Sequence, residues 1–480
     1  MRPDRRSQIG HGDALEFLLV HVAQHPDREP LYQWEQWAEQ HSVCHLWNCS
    51  PHAFNDDRIG RALDAMAAAG AQIHAQLVEA VRKQYPLDLK WLHWDFSHLT
   101  FTDARRQTDL VRAGYGNGTV HQRQAKIGLH VTSDDGVPVH YELLSGNAQQ
   151  QPRAKPLLKQ LQTELQCQKL GIVSDRGGIG YEILEQYLQS ETYFVSALQW
   201  TAAERELAAQ TPMSEFIASS YRSRNKPDDA YYVYPTQLPF RRQKHPEPLS
   251  VSAVIVHSMA KQANDAQARQ KLIARTCEKL AKLAAQLNCK RFSHADYVRP
   301  LLPKKIPKAV ADIVRYELTG ADGALELHYW VDPEAQAQAA RLDGRYILVH
   351  RLPEAAEPDE ALKVYKRQYL VESRFRNFRS DLAINPVWLH LDTRIQGLVL
   401  VYVIALTLLA VLGLLAKRAR LGTEYYDRMT PMVMLRRFSH LQVFSVETRG
   451  RAPNLHVELN PDQTEIIQAL NLPHPDTFLH

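Results

Sequence analysis

Cysteine is scarce in this chain of 480 residues. Cys44, Cys49, Cys167, Cys277 and Cys289 are odd in number and scattered, which excludes a disulfide-stapled scaffold and suits a reducing cytoplasm. A large excess of one charge is also missing. The 57 Lys and Arg nearly balance the 53 Asp and Glu, for a net +4, so any polyanionic partner must be argued from local clusters. No secretory leader is expected, because Met1-Arg-Pro-Asp-Arg-Arg runs into a short apolar stretch broken by His21. Disorder is excluded by an apolar fraction of 45% beside 23% charged residues, and the length suffices for several domains. Long apolar runs are lacking except one. Ile395 to Ala416 carries no charged residue, enough at roughly 1.5 Å per residue to cross about 30 Å of hydrocarbon. The segment is solitary and has no Trp belt, so we expect a core helix, buried all round, rather than a membrane span.

Taken in order, residues 1–88 read as a helical N-terminal region. Asn55-Asp-Asp-Arg58 supplies capping residues, and Ile59, Leu63 and Met66 form one stripe. His41, Cys44, His45, Cys49 and His52 cluster there, but their spacing matches no standard zinc finger. From Leu89 the period changes to two. Leu89 to Phe96 reads as a strand carrying Asp95 between Trp94 and Phe96. Ala125 to Thr132 and the stretch from Val137 to Leu143 read as strands joined by an Asp134-Asp-Gly136 turn. A helix from Pro156, a strand Leu170 to Asp175, a turn Arg176-Gly177-Gly178, a helix Ile183 to Leu188 and a strand Tyr193 to Leu198 follow. Three strands, helix, strand, helix, strand is the order of a ribonuclease H-like α/β fold. The fold class expected is therefore α/β, with an RNase H-like mixed sheet flanked by helices. It splits into a core part 89–200, a strand-rich insertion 201–355, a second core part 356–420 and a C-terminal region 421–480. Within the insertion, Pro235 to Pro248 reads as an exposed basic linker and Lys261 to Leu287 as a long charged helix.

The stretch Leu362 to Ser380 holds a single acid, Glu372, among Lys363, Lys366, Arg367, Arg374, Arg376 and Arg379. Pro358, Asp359 and Glu360 suit the first turn of one continuous helix through it. The simple reading is a solvated helix with an ordinary ion pair; the alternative depends on whether other carboxylates meet Glu372. Asp95 on the first strand and Asp175 at the end of a later one are the candidates, since ligands of α/β sheets collect at the carboxyl edge. Three oxygen donors suit Mg²⁺, a pair of which serves in-line phosphoryl displacement, while arginines around them neutralise phosphate without reading bases. The simpler readings are a buried strand-end acid for Asp95 and a helix cap for Asp175. Arg374 and Arg376 read as phosphate neighbours or surface charges, Asp343 as a turn residue, and His93, His98, His130 and His140 as the lining of a half-buried face.

These residues resemble the DDE transposases of bacterial insertion sequences, in particular the type-four group with an insertion before its Glu. That group's signature is Tyr, two residues, Arg, three residues, Glu, six residues, Lys; Tyr365, Gln368, Glu372 and Arg379 stand at those positions. Asp175-Arg-Gly177, Gly146-Asn147, Asn55 to Arg58 and Leu342-Asp-Gly344 add to the resemblance, which spans about residues 50 to 475. It implies Asp95, Asp175 and Glu372 as catalytic metal ligands for Mg²⁺, with Mn²⁺ as a substitute. Tyr365, Arg367, Arg376 and Arg379 would lie along DNA. The implied reaction is strand cleavage at element ends and attack of the freed 3′-hydroxyl on target DNA, by a cytoplasmic homodimer with no membrane partner. The implied DNA partners are terminal inverted repeats and target. Gln368 replaces the family's Arg, with Arg367 adjacent; Arg379 replaces Lys with different geometry. Phe96 and Leu398 stand where Thr and His are more familiar. Two alternatives are another metal-dependent nuclease, using His93 with Asp95, and a DNA-binding relative impaired in catalysis.

Overall fold

The computed structural model describes residues 9–24, 30–41, 43–102, 108–116, 119–148, 154–165, 167, 169–176, 178–223, 226–242, 245–421, 429–439, 441–446 and 454–479. Met1 to Arg6 and Gly177 lie outside them. The chain is mixed α/β and divides into two compact units, one formed by Met1–Thr192 with Lys366–His480, the other by Tyr193–Tyr365.

The first unit begins with helices α1 (His11–Gln24), α2 (Trp34–Gln40) and α3 (Asp56–Gln84). Phe17 stacks on Phe54 with ring centroids 3.9 Å apart, and Trp37 and Trp47 meet Phe17 edge-on, the geometry that ring quadrupoles favour. The Asn55 side chain starts α3 by accepting the Arg58 N–H at 3.0 Å, while Asp56 and Asp57 favour the positive end of the dipole. The stripe of Ile59, Leu63 and Met66 is buried. Strands β1 (Trp91–Thr100), β2 (Arg112–Gly116), β3 (Thr119–Thr132) and β4 (Pro138–Ser145) follow. Helix α4 (Ala154–Glu164), strand β5 (Gly171–Ser174) and helix α5 (Tyr181–Gln189) complete this part. β3 is central: β1 pairs antiparallel along one edge, β4 and β2 along the other, and β5 adds parallel to β1. The first strand begins and ends later than the expected Leu89 to Phe96. β2 was not anticipated from the sequence, where Gly114 and Gly116 interrupt any strand pattern.

The second unit contains β6 (Tyr193–Ala197), α6 (Ala202–Gln210), β7 (Ile217–Ala218), β8 (Tyr231–Arg242), β9 (His245–Ser258) and α7 (Met259–Ala284). It continues with α8 (Ala295–Val298), α9 (Leu302–Lys305), β10 (Val314–Thr319), β11 (Glu326–Val331), α10 (Pro333–Ala340), β12 (Arg345–Arg351) and α11 (Glu360–Tyr365). Its antiparallel sheet runs β6, β12, β9, β8, β7, and β10 pairs with β11 alone. The expected linker Pro235 to Pro248 is instead the paired length of β8 and β9. Pro235 and Pro239 occupy positions of equal parity on β8, beyond its two-residue contact with β7, so an edge strand accommodates their missing donors. Asp343 is more than a turn residue: buried, it receives both Arg269 guanidinium nitrogens.

The chain returns to the first unit through α12 (Tyr369–Arg376), α13 (Asp392–Arg418), α14 (Pro431–Arg437), the antiparallel pair β13 (Val443–Val446) and β14 (Asn454–Val457), and α15 (Pro461–Ala469). The continuous helix expected from Asp359 to Ser380 is broken. A 3₁₀ turn at Lys366–Gln368 follows α11, and a π turn at Asn377–Asp381 follows α12, where the Leu382 N–H reaches the Asn377 carbonyl. The two turns rotate the chain so that Gln368, Val371, Phe375, Phe378 and Leu382 all face inward. α13 is the one described helix long and apolar enough to cross a membrane, and 72% of its apolar window is buried. Gly397 lets it approach α3 closely, since a Cβ there would lie 2.2 Å from the Leu63 carbonyl oxygen.

Candidate active site

Strand register places the first two acids side by side. β1 and β5 run parallel with Trp94 opposite Ser174, so Asp95, within β1, and Asp175, just past the end of β5, are the next residues on neighbouring strands, about 5 Å being the ordinary strand spacing. Gly178 closes the turn after β5 by donating its N–H to the Asp175 carbonyl at 2.8 Å. A Cβ at Gly178 would lie 2.7 Å from Ser174 Cβ and 2.9 Å from the Trp94 ring, so this turn folds back only with glycine. Helix α5 takes its N-cap from Gly180, which removes the reading of Asp175 as that helix's cap.

Asp95 carries the electrostatic load. Burial pushes its carboxyl up to about 6; a 2.8 Å bond accepted from the Phe96 N–H opposes this, the charges of Asp175 and Glu372 add to it, and Arg379 partly offsets them. Two acids thus act on a third, half-buried carboxylate, with the single cationic side chain of Arg379 answering them.

Glu372 lies in the first turn of α12, exposed, on a helix whose other face buries Leu370, Val371 and Phe375 beside β1 and β3. Two polar ties fix that helix. Gln368, buried just before it, donates from Nε2 to the Trp94 carbonyl at 2.8 Å, and its Oε1 lies 3.1 Å from His93 Nδ1. Because a carbonyl only accepts, the amide orientation is set; Oε1 then requires a proton on Nδ1, and His93 Nε2 accepts from the Ser133 hydroxyl at 2.7 Å. Burial drives His93 down to about 4, the Gln368 bond opposing and the Arg367 charge adding, so the ring is neutral and consistent with this chain of bonds. The second tie is Arg374, which donates to the carbonyls of Gly136 and Asp135, each at 2.9 Å, and to Asn377 Oδ1 at 3.2 Å. Burial lowers it to about 10 against the pull of Asp135. Arg374 therefore acts as a strut, tying α12 to the β3–β4 turn through two of its donors.

The remaining sequence candidates fall in different places. Arg379 is exposed, donates to the Phe375 carbonyl at 3.3 Å and acts on Asp95. Arg376 is exposed and bonds Ser373 at 3.0 Å; Arg367 is exposed beside the buried Gln368. Tyr365 ends α11 in the second unit, its ring 6.5 Å from that of Tyr346. His130 is buried between Trp94 and His140. Among the described residues no three His, Cys, Asp or Glu side chains are set closely enough to hold a metal ion as they stand, at the N-terminal Cys and His cluster or here; the His45 side chain lies outside the description. By chemistry, the oxygen donors Asp95, Asp175 and Glu372 fit a hard divalent cation, which would relieve the burden on Asp95. Gln368, His93 and Ser133 escaped the sequence reading as a unit. The signal available was Gln368 itself, one helical turn before Glu372 and at the signature's Arg position.

A family model described as a domain of unknown function (DUF4277) matches residues 1–79. No curated protein matches the chain. Among solved structures, the cryo-EM structure of a piggyBac transposase synaptic complex with hairpin DNA is similar over 90% of this chain and 70% of that one, at 10% identity and TM-score 0.42. The Mos1 transposase paired-end complex with its left transposon end is similar over 44% of this chain and 64% of that one, at 13% identity and TM-score 0.17. The Mos1 mariner paired-end complex with Mn gives 44% and 63%, at 13% identity and TM-score 0.17. This chain thus spans just under two thirds of the Mos1 chain it matches.

Proposed function

We propose that this chain is a DNA transposase of the DDE kind, resembling those of bacterial insertion sequences. It would cleave phosphodiester bonds at element ends and join the freed 3′-hydroxyl to target DNA. The observation that carries the reading is the register of β1 on β5. It sets Asp95 beside Asp175 across neighbouring strands, with the Glu372 helix packed on β1 and both other charges acting on Asp95. Asp95, Asp175 and Glu372 would hold Mg²⁺, or Mn²⁺ in its place. When bound, such an ion supplies activation of the attacking oxygen and stabilisation of the leaving one.

The chain's own residues do the rest. Gln368 and Arg374 hold α12 on β1 and on the β3–β4 turn, which keeps Glu372 on a helix packed against the strand of Asp95. Arg379 moderates the repulsion at Asp95, and with Arg376 and Arg367 it offers exposed cations to phosphate. Tyr365 is retained by resemblance as a backbone contact. A homodimer would handle two ends together.

The test uses the DNA flanking the reading frame. Terminal inverted repeats bracketed by a short direct duplication are expected there, and the purified full chain should nick a duplex bearing them only with Mg²⁺ or Mn²⁺. Asp95→Asn, Asp175→Asn and Glu372→Gln should each abolish nicking. Tight repeat binding without nicking by the unaltered chain would leave a DNA-binding relative impaired in catalysis. Nicking that survives loss of Asp175 or Glu372 but not of His93 would point to another nuclease mechanism.

A further inference from the structure

Between Lys261 and Lys308 the chain carries twelve Lys and Arg against three Asp and Glu, a net of +9 in a protein whose total is +4, so the remainder sums to −5. This stretch is α7, α8, α9 and their turns, built on a core of Ile273, Leu280, Leu283, Val298, Leu302 and Ile306. Two of its acids are consumed locally, Asp265 by Lys261 and Glu278 by Lys282. Arg269 is spent on Asp343. What is left is nine cations against one acid, the exposed Asp296. Lys271, Arg275 and Lys279 lie exposed four residues apart on α7, and six further exposed cations between Lys290 and Lys308 have no acidic partner among the described residues. The fixed face of α7 is Ile273, Thr276, Leu280 and Leu283, so the cationic stripe is presented on a rigid helix, about 12 Å from Lys271 to Lys279 at 1.5 Å per residue. Such a length faces three or four base-pair steps at about 3.4 Å each.

We propose that this face of α7, with the cations that follow it, is a second DNA surface that grips the phosphodiester backbone of a duplex without reading its sequence. Duplex DNA as the occupant rests on the function proposed above; the charge separation within the chain does not. A lipid surface is disfavoured because the exposed non-cationic positions from Gln270 to Lys282 are Gln270, Ala274, Glu278 and Ala281, with no large apolar side chain to insert. The surface is distinct from the carboxylates and requires no metal. It would hold DNA flanking the reacting ends, where the contact must tolerate any sequence.

The experiment measures binding of the full chain to a short duplex of arbitrary sequence, in EDTA, across a salt series, for the unaltered protein and for Lys271→Gln/Arg275→Gln/Lys279→Gln. Glutamine has nearly the helix propensity of the residues it replaces, and an unchanged thermal unfolding curve checks the fold. The triple variant should lose more than about ten-fold in affinity at moderate salt, and its log–log salt slope should fall by roughly 3, one per phosphate contact removed. Asp95→Asn should leave the slope unaltered, so a failure of the cleavage reading is separable from a failure of this one. Unchanged affinity and slope in the triple variant overturns the proposal. So does a loss of binding to anionic phospholipid vesicles or to single-stranded RNA with duplex binding intact.

Discussion

At the scale of single residues, Asp95 decides the behaviour of the carboxylate cluster. Its folded pKa of about 6 lies above the ordinary 3.8, so the folded state holds this proton more tightly than the unfolded one. The stability it confers is present below about pH 4 and is lost as pH rises towards 6, leaving a deficit on the order of 2–3 kcal/mol at neutral pH. Asp95→Asn should therefore unfold at higher denaturant than the unaltered chain at pH 7, and its stability should lack the decline between pH 4 and 6, while cleavage is abolished. Mg²⁺ should raise the unfolding midpoint of the unaltered chain at pH 7 and leave that of the variant in place. Equal stability of the two proteins across that pH range contradicts the assignment. Gln368 supports the same site from behind. Removing it as Gln368→Ala leaves the His93 Nδ1–H and the Trp94 carbonyl without their partner, at about 1–3 kcal/mol each, and frees the start of α12. The expected outcome is lower stability in urea together with a raised Mg²⁺ requirement for cleavage. Gln368→Arg, although Arg is the residue of the signature that this stretch resembles, should cost more, because it places a charge against a buried neutral imidazole. The acids and basic residues were legible from their types and order; the Gln368–His93–Ser133 chain was not, because its members are far apart in sequence and are joined only by the pairing of β1 with β3 and the packing of the turn before α12 on β1.

At the scale of elements, periodicity carried most helices and strands, and the errors share a cause. The glycines of β2 and the prolines of β8 disguised strands, since both residue types usually punctuate chains and only the open edge or a neighbouring strand reverses that meaning. The broken helix around Glu372 was read as continuous because its apolar spacing persists, while the 3₁₀ and π turns that keep that spacing facing inward depend on what α12 packs against. The contact of α13 with α3 offers a direct check. With a Cβ at residue 397 projected 2.2 Å from the Leu63 carbonyl, and that atom belonging to helix backbone, Gly397→Ala must push the two helices apart. A loss of about 1–3 kcal/mol is expected from overpacking, read as a lowered midpoint in denaturant. Gly323→Ala is a poor comparison because its φ is +84°; Gly12→Ala, with open space around it, should be close to neutral.

At the scale of the whole molecule, the question raised by composition is where the apolar length of α13 is spent. Its flanks are anchored: Thr393 and Arg394 bond Asp64 of α3 at 2.7 and 3.3 Å. Ile395, Val399, Leu400, Val401, Val403 and Leu406 are buried among residues of the first unit. Even its mid-helix threonine hydroxyl is satisfied within, Thr407 donating to the Val403 carbonyl at 2.9 Å. Were this helix to leave for lipid, Leu63, Met66, Ile127, Leu129 and Phe378 would lose the surface that covers them, at roughly 25 cal/mol per Å² exposed. The strand carrying Asp95 would lose its support with them, since all belong to one core. The full chain should therefore be recovered in the aqueous fraction after lysis without detergent. Gly397→Ala, which loosens α13 from α3, should increase the share found in the pellet. Recovery of the unaltered chain only with detergent would mean that α13 lies in a membrane, and that the acids held beside this core are arranged otherwise.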